Sequence, residues 1–270
     1  MLRYEFIDEY CLMQKFWADP PWGEGGRRYR LGAKPIPPDD WLTEDPDVSA
    51  NKQKQLKQRP EDVVFQSEVV DTSSWNLPWS PATNHDQWIV NLSSPIAEDV
   101  CVLDLANNLR LVAGCVAAPS YWRLHDKKDK PLWQIHDSVD GLNPILGQRI
   151  EHFLMHLPEE QAFVRRNWFV HDRAEYWPTA LDEFVTPPEC WWFRSERQVI
   201  YRPQADWLLF TICVSFAPVG ELAEHPTACM GLNRALTLMS DEEISYFGGV
   251  EKHRRIHEYV RLIEENKIAN

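Results

Sequence analysis

His136 occupies a position where a histidine can do chemistry. It closes the apolar segment 132–135 and comes just before the polar turn 137–141. A neutral imidazole at the wall of an aromatic cavity can hydrogen-bond a carbonyl, or it can ligate a metal through a ring nitrogen. The spacing leaves both roles open, an axial ligand or a histidine that only supports the fold.

A second concentration of reactive groups lies in the segment 191–200, which has the composition of a strand but carries charges. Because side chains alternate between the two faces of a strand, Arg194 and Glu196 share one face and Arg197 lies on the other. Charges on a central strand must be paired or used. Glu196 is therefore either part of a buried network with arginine, or a pocket carboxylate suited to a cationic ligand or to proton transfer.

His152 and His156 have the i, i+4 spacing that lets two imidazoles share a metal. Both fall on the flank of the predicted helix that faces away from its apolar stripe, which favours a solvated surface. A metal-dependent hydrolase built on them has no third ligand nearby in the sequence. The chain contains no glycine-rich nucleotide loop, no H-E-x-x-H and no G-x-S-x-G motif.

Composition narrows the possible functions. The 270 residues include 28 Lys+Arg against 41 Asp+Glu, a formal charge of −13, which argues against a nucleic-acid partner. No apolar run approaches the roughly 20 residues that span a bilayer, so we predict no membrane segment. The charged start predicts no signal peptide and a cytoplasmic protein. Six cysteines without a C-x-x-C pair indicate buried thiols. Thirteen tryptophans predict an aromatic interior, a partner surface or a bulky flat ligand.

Residues 1–84 are predicted to form an irregular extension packed on the core, because prolines and glycines interrupt every periodic pattern. A short polar helix capped by Asp47 must end before Pro60. The aromatic residues that would anchor the extension are Phe16, Trp17, Trp22 and Trp41.

The predicted core, residues 85–220, begins with a short helix that Ser94 and Pro95 open. A hairpin, a helix capped by Asn143 and three extended runs follow, at 101–116, 143–157, 162–170, 191–201 and 207–216. Hairpins on either side of a helical insertion favour an α+β fold, one antiparallel sheet with helices on a single face. This is also the element order of a PAS domain. Residues 221–270 are predicted to be a helical tail with a capping box at 240–243.

These segments resemble the family of the α subunit of heme-dependent oxidative N-demethylase. The matching stretches run in order through roughly residues 28 to 220, and they are Arg28–Ile36, Asp39–Trp41, Ala97–Leu103, Leu111–Gly114, Pro119–Leu124, Ile135–His136 with Val139 and Gly141, Arg166–Trp168, Arg194–Gln198 and Leu209–Ile212. The resemblance implies a PAS-like fold that binds heme b. It also implies oxidation of a small secondary amine such as dimethylamine with O₂, using electrons from partner subunits that carry flavin and an iron–sulfur cluster.

Carried onto this sequence, the resemblance implies His136 as the proximal iron ligand and Glu196 as the group that binds the amine. It implies Trp168 and Cys213 as further contacts of the cofactor. Two departures affect the transfer of the activity: Cys213 stands where the family has a basic residue, and the turn after His136 lacks the family's proline. The alternative function is a non-catalytic PAS-like heme sensor or a module that binds another hydrophobic ligand, with the acidic surface and the helical tail serving a partner.

Overall fold

The computed structural model of the chain describes residues 16–83 and 86–268, with side chains to residue 265. Its centre is one seven-stranded antiparallel sheet with the spatial order β1-β5-β6-β7-β3-β4-β2. The strands are β1 Lys34–Ile36, β2 Val64–Gln66, β3 Asp99–Asp104, β4 Arg110–Cys115, β5 Ala162–His171, β6 Trp192–Gln204 and β7 Trp207–Pro218. The antiparallel α+β class and all five core strands are confirmed.

The register of the three long strands fixes which side chains share a face. Asn167 of β5 pairs with Glu196 of β6, which pairs with Val214 of β7. One position away, Arg197 pairs with Cys213. Since neighbouring positions on a strand project to opposite sides, Glu196 and Cys213 lie on different faces of the sheet.

Nine α-helices surround the sheet within the described residues. They are α1 Pro46–Gln58, α2 Pro60–Val63, α3 Trp88–Ser93, α4 Leu124–Lys127, α5 Leu132–His136, α6 Gln148–Met155, α7 Pro226–Thr237, α8 Asp241–Phe247 and α9 Val250–Ile268. Shorter 3-10 turns cover Pro38–Asp40, Pro188–Cys190 and Val219–Glu224. No helix in 16–83 or 86–268 is both long and apolar enough to cross a membrane.

Helices α4–α6 pack on one side of the sheet, which we call the helix-covered face. Their apolar residues form one cluster with the strands, and its members include Leu124, Leu132, Leu154, Leu157, Cys101, Leu103, Ile200 and Leu208. The opposite face is covered by the extension, with Trp41 against Leu209, and by the C-terminal helices, with Leu232 against Phe193. Helices therefore occupy both faces, and only those of the insertion follow the predicted single-sided layout.

Helix α6 differs from its predicted form at its start. Residues Asn143–Gly147 form a π-helical turn, and Asn143 does not cap it. Instead, the Asn143 side chain donates a hydrogen bond to the carbonyl of Trp133 at 2.8 Å, which ties α6 to α5. Ile145, expected on the buried face, is 48% exposed, because the π turn rotates it away from the sheet.

The four aromatic residues expected to anchor the extension, Phe16, Trp17, Trp22 and Trp41, are buried. The indole N–H groups of the three tryptophans find acceptors in the core, and that of Trp22 donates to the carbonyl of Ala228 at 2.7 Å. Helix α1 begins two residues earlier than predicted, since Asp45 and not Asp47 accepts the capping hydrogen bonds. The first fifteen residues of the extension, including Cys11, lie outside the described residues.

Two other local predictions have opposite outcomes. The prediction of a helix that begins at Ser94 is wrong, because α3 ends at Ser93 and Glu98 leads directly into β3. The capping box is confirmed, because the Ser240 hydroxyl accepts from the Glu243 N–H while the Glu243 carboxylate accepts from the Ser240 N–H. This capping box begins α8.

Candidate functional site

Glu196 is the centre of a hydrogen-bond network on the helix-covered face. Its Oε2 accepts from the side-chain amides of Gln198, at 3.0 Å, and Asn167, at 3.2 Å. Its Oε1 accepts from Nε of Arg194 at 3.3 Å. These partners all come from β5 and β6 with an even spacing, so the period of the strand is what assembles them.

Arg194 is the most deeply buried charge of this network, with its side chain 2% exposed. Its Nη2 donates to the carbonyl of Ala118 at 2.5 Å. Asp99, at the start of β3, fixes the same loop, because its carboxylate accepts from the N–H groups of Ala117 and Ala118 at 2.8 and 2.9 Å. Burial raises the pKa of Asp99. Glu196 is thus held by groups that are themselves positioned.

His136 ends α5 on the same side of the sheet. Burial, together with the positive charges of Arg165 and Lys127, lowers its pKa to about 4. The imidazole is therefore neutral at pH 7, the form that ligates a metal. Within the described ranges no hydrogen bond to this ring is found, which leaves its nitrogens available for a ligand.

Arg165 is a buried cation whose charge acts on His136 and is itself acted on by Glu196. It is the fourth residue of β5, and its Nη1 donates a hydrogen bond to Oε1 of Gln198 at 3.1 Å. Burial lowers its pKa and the charge of Glu196 opposes that shift. Phe210 and Ile212 of β7 project from the same face and are only partly buried. The arrangement is a partly open apolar floor with a neutral imidazole and a carboxylate at its border.

The structure does not bring all predicted site residues together. Cys213 packs against Val48 and Ala97 on the face opposite to Glu196, and burial raises its pKa. Trp168 lies on that face as well, edge-on to Trp22 and Phe247 in the aromatic core. The register therefore places Cys213 and Trp168 on the face opposite to Glu196, whereas the predicted site groups them with His136.

A cavity of about 1360 Å³ is lined largely by residues of the opposite face. Cys213 lies at its wall, with Arg166 and Arg197. Both arginines already have partners: Arg166 pairs with Asp19 at 2.6 Å, and Arg197 donates to the backbone carbonyls of Asp40 and Trp41. Arg165 lines this cavity as well, although its register position belongs to the face of Glu196.

The paired histidines of α6 remain at the surface. His152 and His156 are both exposed, and Nδ1 of His156 bonds the backbone carbonyl of His152 at 2.7 Å. In the described part of the chain, no group of three or more metal-ligating side chains is found. The solvated-flank interpretation is the one that the geometry supports.

Sequence reasoning missed a polar cluster at the far end of β5. Nδ1 of His171 lies 2.7 Å from Oδ2 of Asp182, and Nε2 of His171 is buried without a partner. Lys252 of α9 lies nearby, over the rings of Phe184 and Phe247, and burial lowers its pKa to about 7. Neither spacing nor motif links positions 171, 182 and 252, so this cluster could not be predicted from the sequence.

Comparison with known families decides what the site belongs to. The model of the family described as "Haem-dependent oxidative N-demethylase, alpha subunit-like" matches residues 38–257. The chain belongs to this family. The match includes α5 and all three long strands, and so both His136 and Glu196 of the heme-dependent N-demethylase-like chain. No curated protein matches it significantly.

The residues present fit heme, the group that the family name implies. A neutral histidine is the usual protein ligand of heme iron. Partly exposed apolar side chains of β7 lie on the same face, where a porphyrin would bury them. Nε of Arg165 is buried without an acceptor, which suits a ligand that carries carboxylates.

Proposed function

We propose that this chain is a heme-b-dependent oxidative N-demethylase subunit acting on a small secondary amine. The observation that carries the proposal is that the family match contains a neutral histidine and a buried carboxylate on one face of the sheet. His136 would hold the iron from α5. Heme, when bound, supplies the site of O₂ activation.

We also propose that the core is PAS-like. The five central strands have the spatial order β4-β3-β7-β6-β5, and the helical insertion connects β4 to β5. Two strands formed by the extension, β1 and β2, are added at the edges. This element order supports a ligand site between the insertion helices and the sheet.

Glu196 would orient the amine. A carboxylate has about four acceptor positions, and Asn167, Gln198 and Arg194 already use three of those of Glu196. The remaining position is available to one N–H of the substrate. The amide of Asn167 binds the carboxylate from the neighbouring strand β5, and the amide of Gln198 binds it from two residues along β6. These two hydrogen bonds would keep the carboxylate from turning, so the bound amine would be held at a fixed place relative to α5.

The net reaction would convert a secondary amine, O₂, two electrons and two protons into a primary amine, formaldehyde and water. The chain has no glycine-rich nucleotide motif and no cysteine pair. We therefore propose that flavin and iron–sulfur partner subunits deliver the electrons, with the acidic surface and the helical tail as the regions that contact them.

A second function is a heme-based sensor without turnover. The observation in its favour is the nearly saturated carboxylate of Glu196, which leaves little capacity for a substrate. In that case the chain would bind O₂ or CO and consume no amine.

The test is turnover by heme-loaded protein with dimethylamine, O₂ and a chemical reductant through a soluble electron mediator. The proposal predicts formaldehyde in an amine-dependent amount, and at least a tenfold higher dissociation constant for the amine in Glu196→Gln, since a charge-assisted hydrogen bond contributes about 1.5–3 kcal/mol. Ligand binding by the heme without formaldehyde would support the sensor instead. Asp104→Asn is the matched control, because this carboxylate lies on β3, two strands away from Glu196, and accepts a hydrogen bond from the side chain of Asn107.

A further inference from the structure

The buried charge around Glu196 is positive. Three guanidinium groups, those of Arg194, Arg165 and Arg28, act on this one carboxylate. Only Arg194 reaches it directly, at 3.3 Å. The other two form no ion pair with any residue in 16–83 or 86–265. Buried cations without an anion are costly, so this arrangement indicates a missing negative partner.

Arg165 is the first of these cations. It uses Nη1 on the neutral amide of Gln198, while its Nε is buried and has no acceptor. Burial lowers its pKa, and the attraction of Glu196 only opposes that shift. Its positive charge acts on His136, and the charge of Glu196 acts on it.

Arg28 is the second. Its guanidinium carbon lies 4.5 Å from the ring centre of Phe169 and 5.6 Å from that of Tyr246. Both terminal nitrogens, Nη1 and Nη2, are buried without a hydrogen-bond partner. Aromatic faces attract a cation but contain no acceptor for its five N–H groups. A planar carboxylate is the group that satisfies such a fork with two parallel hydrogen bonds.

We propose that Arg165 and Arg28 bind the two propionate carboxylates of heme. This inference deepens the proposed function and rests on it. Two guanidinium groups without anions match two carboxylates, and both lie toward the edge of β5, beside α8. Their neutralisation would also leave the Arg194–Glu196 pair electrically balanced, so that an ammonium substrate would no longer meet an excess of positive charge.

The first test changes the ligand and leaves the protein intact. Apoprotein is titrated with hemin and with hemin dimethyl ester, in which both carboxylates are blocked, and binding is followed by the Soret band and by tryptophan quenching. We expect the ester to bind about 10- to 100-fold more weakly, as the loss of charge-assisted hydrogen bonds predicts. Equal affinity for the two porphyrins overturns the inference.

The second test assigns the carboxylates to residues. Arg165→Gln and Arg28→Gln should each weaken hemin binding at least tenfold and leave the affinity for the ester unchanged. Arg166→Gln is the matched control, since it is the next residue on β5, faces the other side and pairs with Asp19. Variants that weaken hemin and ester equally overturn the inference while heme binding itself stands. Absence of hemin binding by the unmodified chain refutes the proposed function as well.

Discussion

The pairing of Arg194 with Glu196 makes a prediction about stability that does not depend on heme. Both side chains are nearly inaccessible, 2% and 10% exposed, and Nε lies 3.3 Å from Oε1. Removing either partner leaves the other charge buried. We therefore expect Glu196→Gln and Arg194→Met each to cost about 3–5 kcal/mol in the free energy of unfolding.

The magnitude of the coupling between the two residues follows from the same geometry. The double variant removes both charges, so most of the second penalty should disappear. We expect a coupling energy of about 2–3 kcal/mol in a double-mutant cycle. An exposed pair of similar chemistry should give less than about 0.5 kcal/mol. Arg254 and Glu258 on α9 provide that control, since their atoms lie 2.7 Å apart while the side chains are 52% and 57% exposed.

The assay is urea unfolding of the four proteins in each cycle at pH 7, followed by tryptophan fluorescence and circular dichroism. Energies that add within about 0.5 kcal/mol for the buried pair would contradict a coupling between Arg194 and Glu196, because independent sites behave in that way. A buried coupling no larger than that of the α9 pair would have the same meaning. Unchanged slopes with denaturant would establish that the variants remain fully folded.

Three further predictions concern other groups. Burial lowers the pKa of Lys252 in the folded protein from its ordinary 10.5 to about 7, and the charged groups nearby are those of Asp182, Asp172 and Arg28. Between these two pKa values the unfolded chain binds one proton more than the folded protein, so the free energy of unfolding should rise with pH over that window, by at most about 5 kcal/mol. In urea unfolding measured across this pH range, Lys252→Met should flatten the rise. Parallel curves for the two proteins would contradict the burial of the charge. Asp99→Asn should lose one of two backbone hydrogen bonds and cost about 1–3 kcal/mol in thermal unfolding, with little change expected for exposed Asp129→Asn. Cys213→Ala should leave heme content unchanged, because its side chain faces away from His136; loss of heme would contradict that placement.

Much of the fold could be predicted because its information is local. The strands β3 to β7 follow from alternation, and the capping box at Ser240 follows from residue types three positions apart. Predictions failed where tertiary contacts outweigh local preference. Asp45 caps α1 although Asp47 is an equally good cap, and Asn143 bonds α5 instead of its own helix. The three-residue strands β1 and β2 exist only because edges of the sheet were available to pair with them.

The site shows the same division. The period of a strand was enough to place Arg194, Glu196 and Gln198 together, and the network interpretation of Glu196 is what the structure contains. Which side chains meet across distant segments could not be predicted. Arg28 reaches the edge of β5 from the extension, and His171 meets Asp182 through a loop. The resemblance grouped Trp168 and Cys213 with His136. The register places both side chains on the face opposite to Glu196, because they pair with Ser195 and Arg197, the neighbours of Glu196 on β6.

The most direct measurement is the absorbance spectrum of the protein expressed with a heme precursor, together with a pyridine hemochrome assay, for the wild type and for His136→Ala. If His136 holds the iron, the wild type should show a Soret band at close to one heme per chain. The variant should lose that band and keep an unchanged circular dichroism spectrum. A wild-type protein without heme, or a variant that retains the full amount, would contradict the assignment of a heme site at His136.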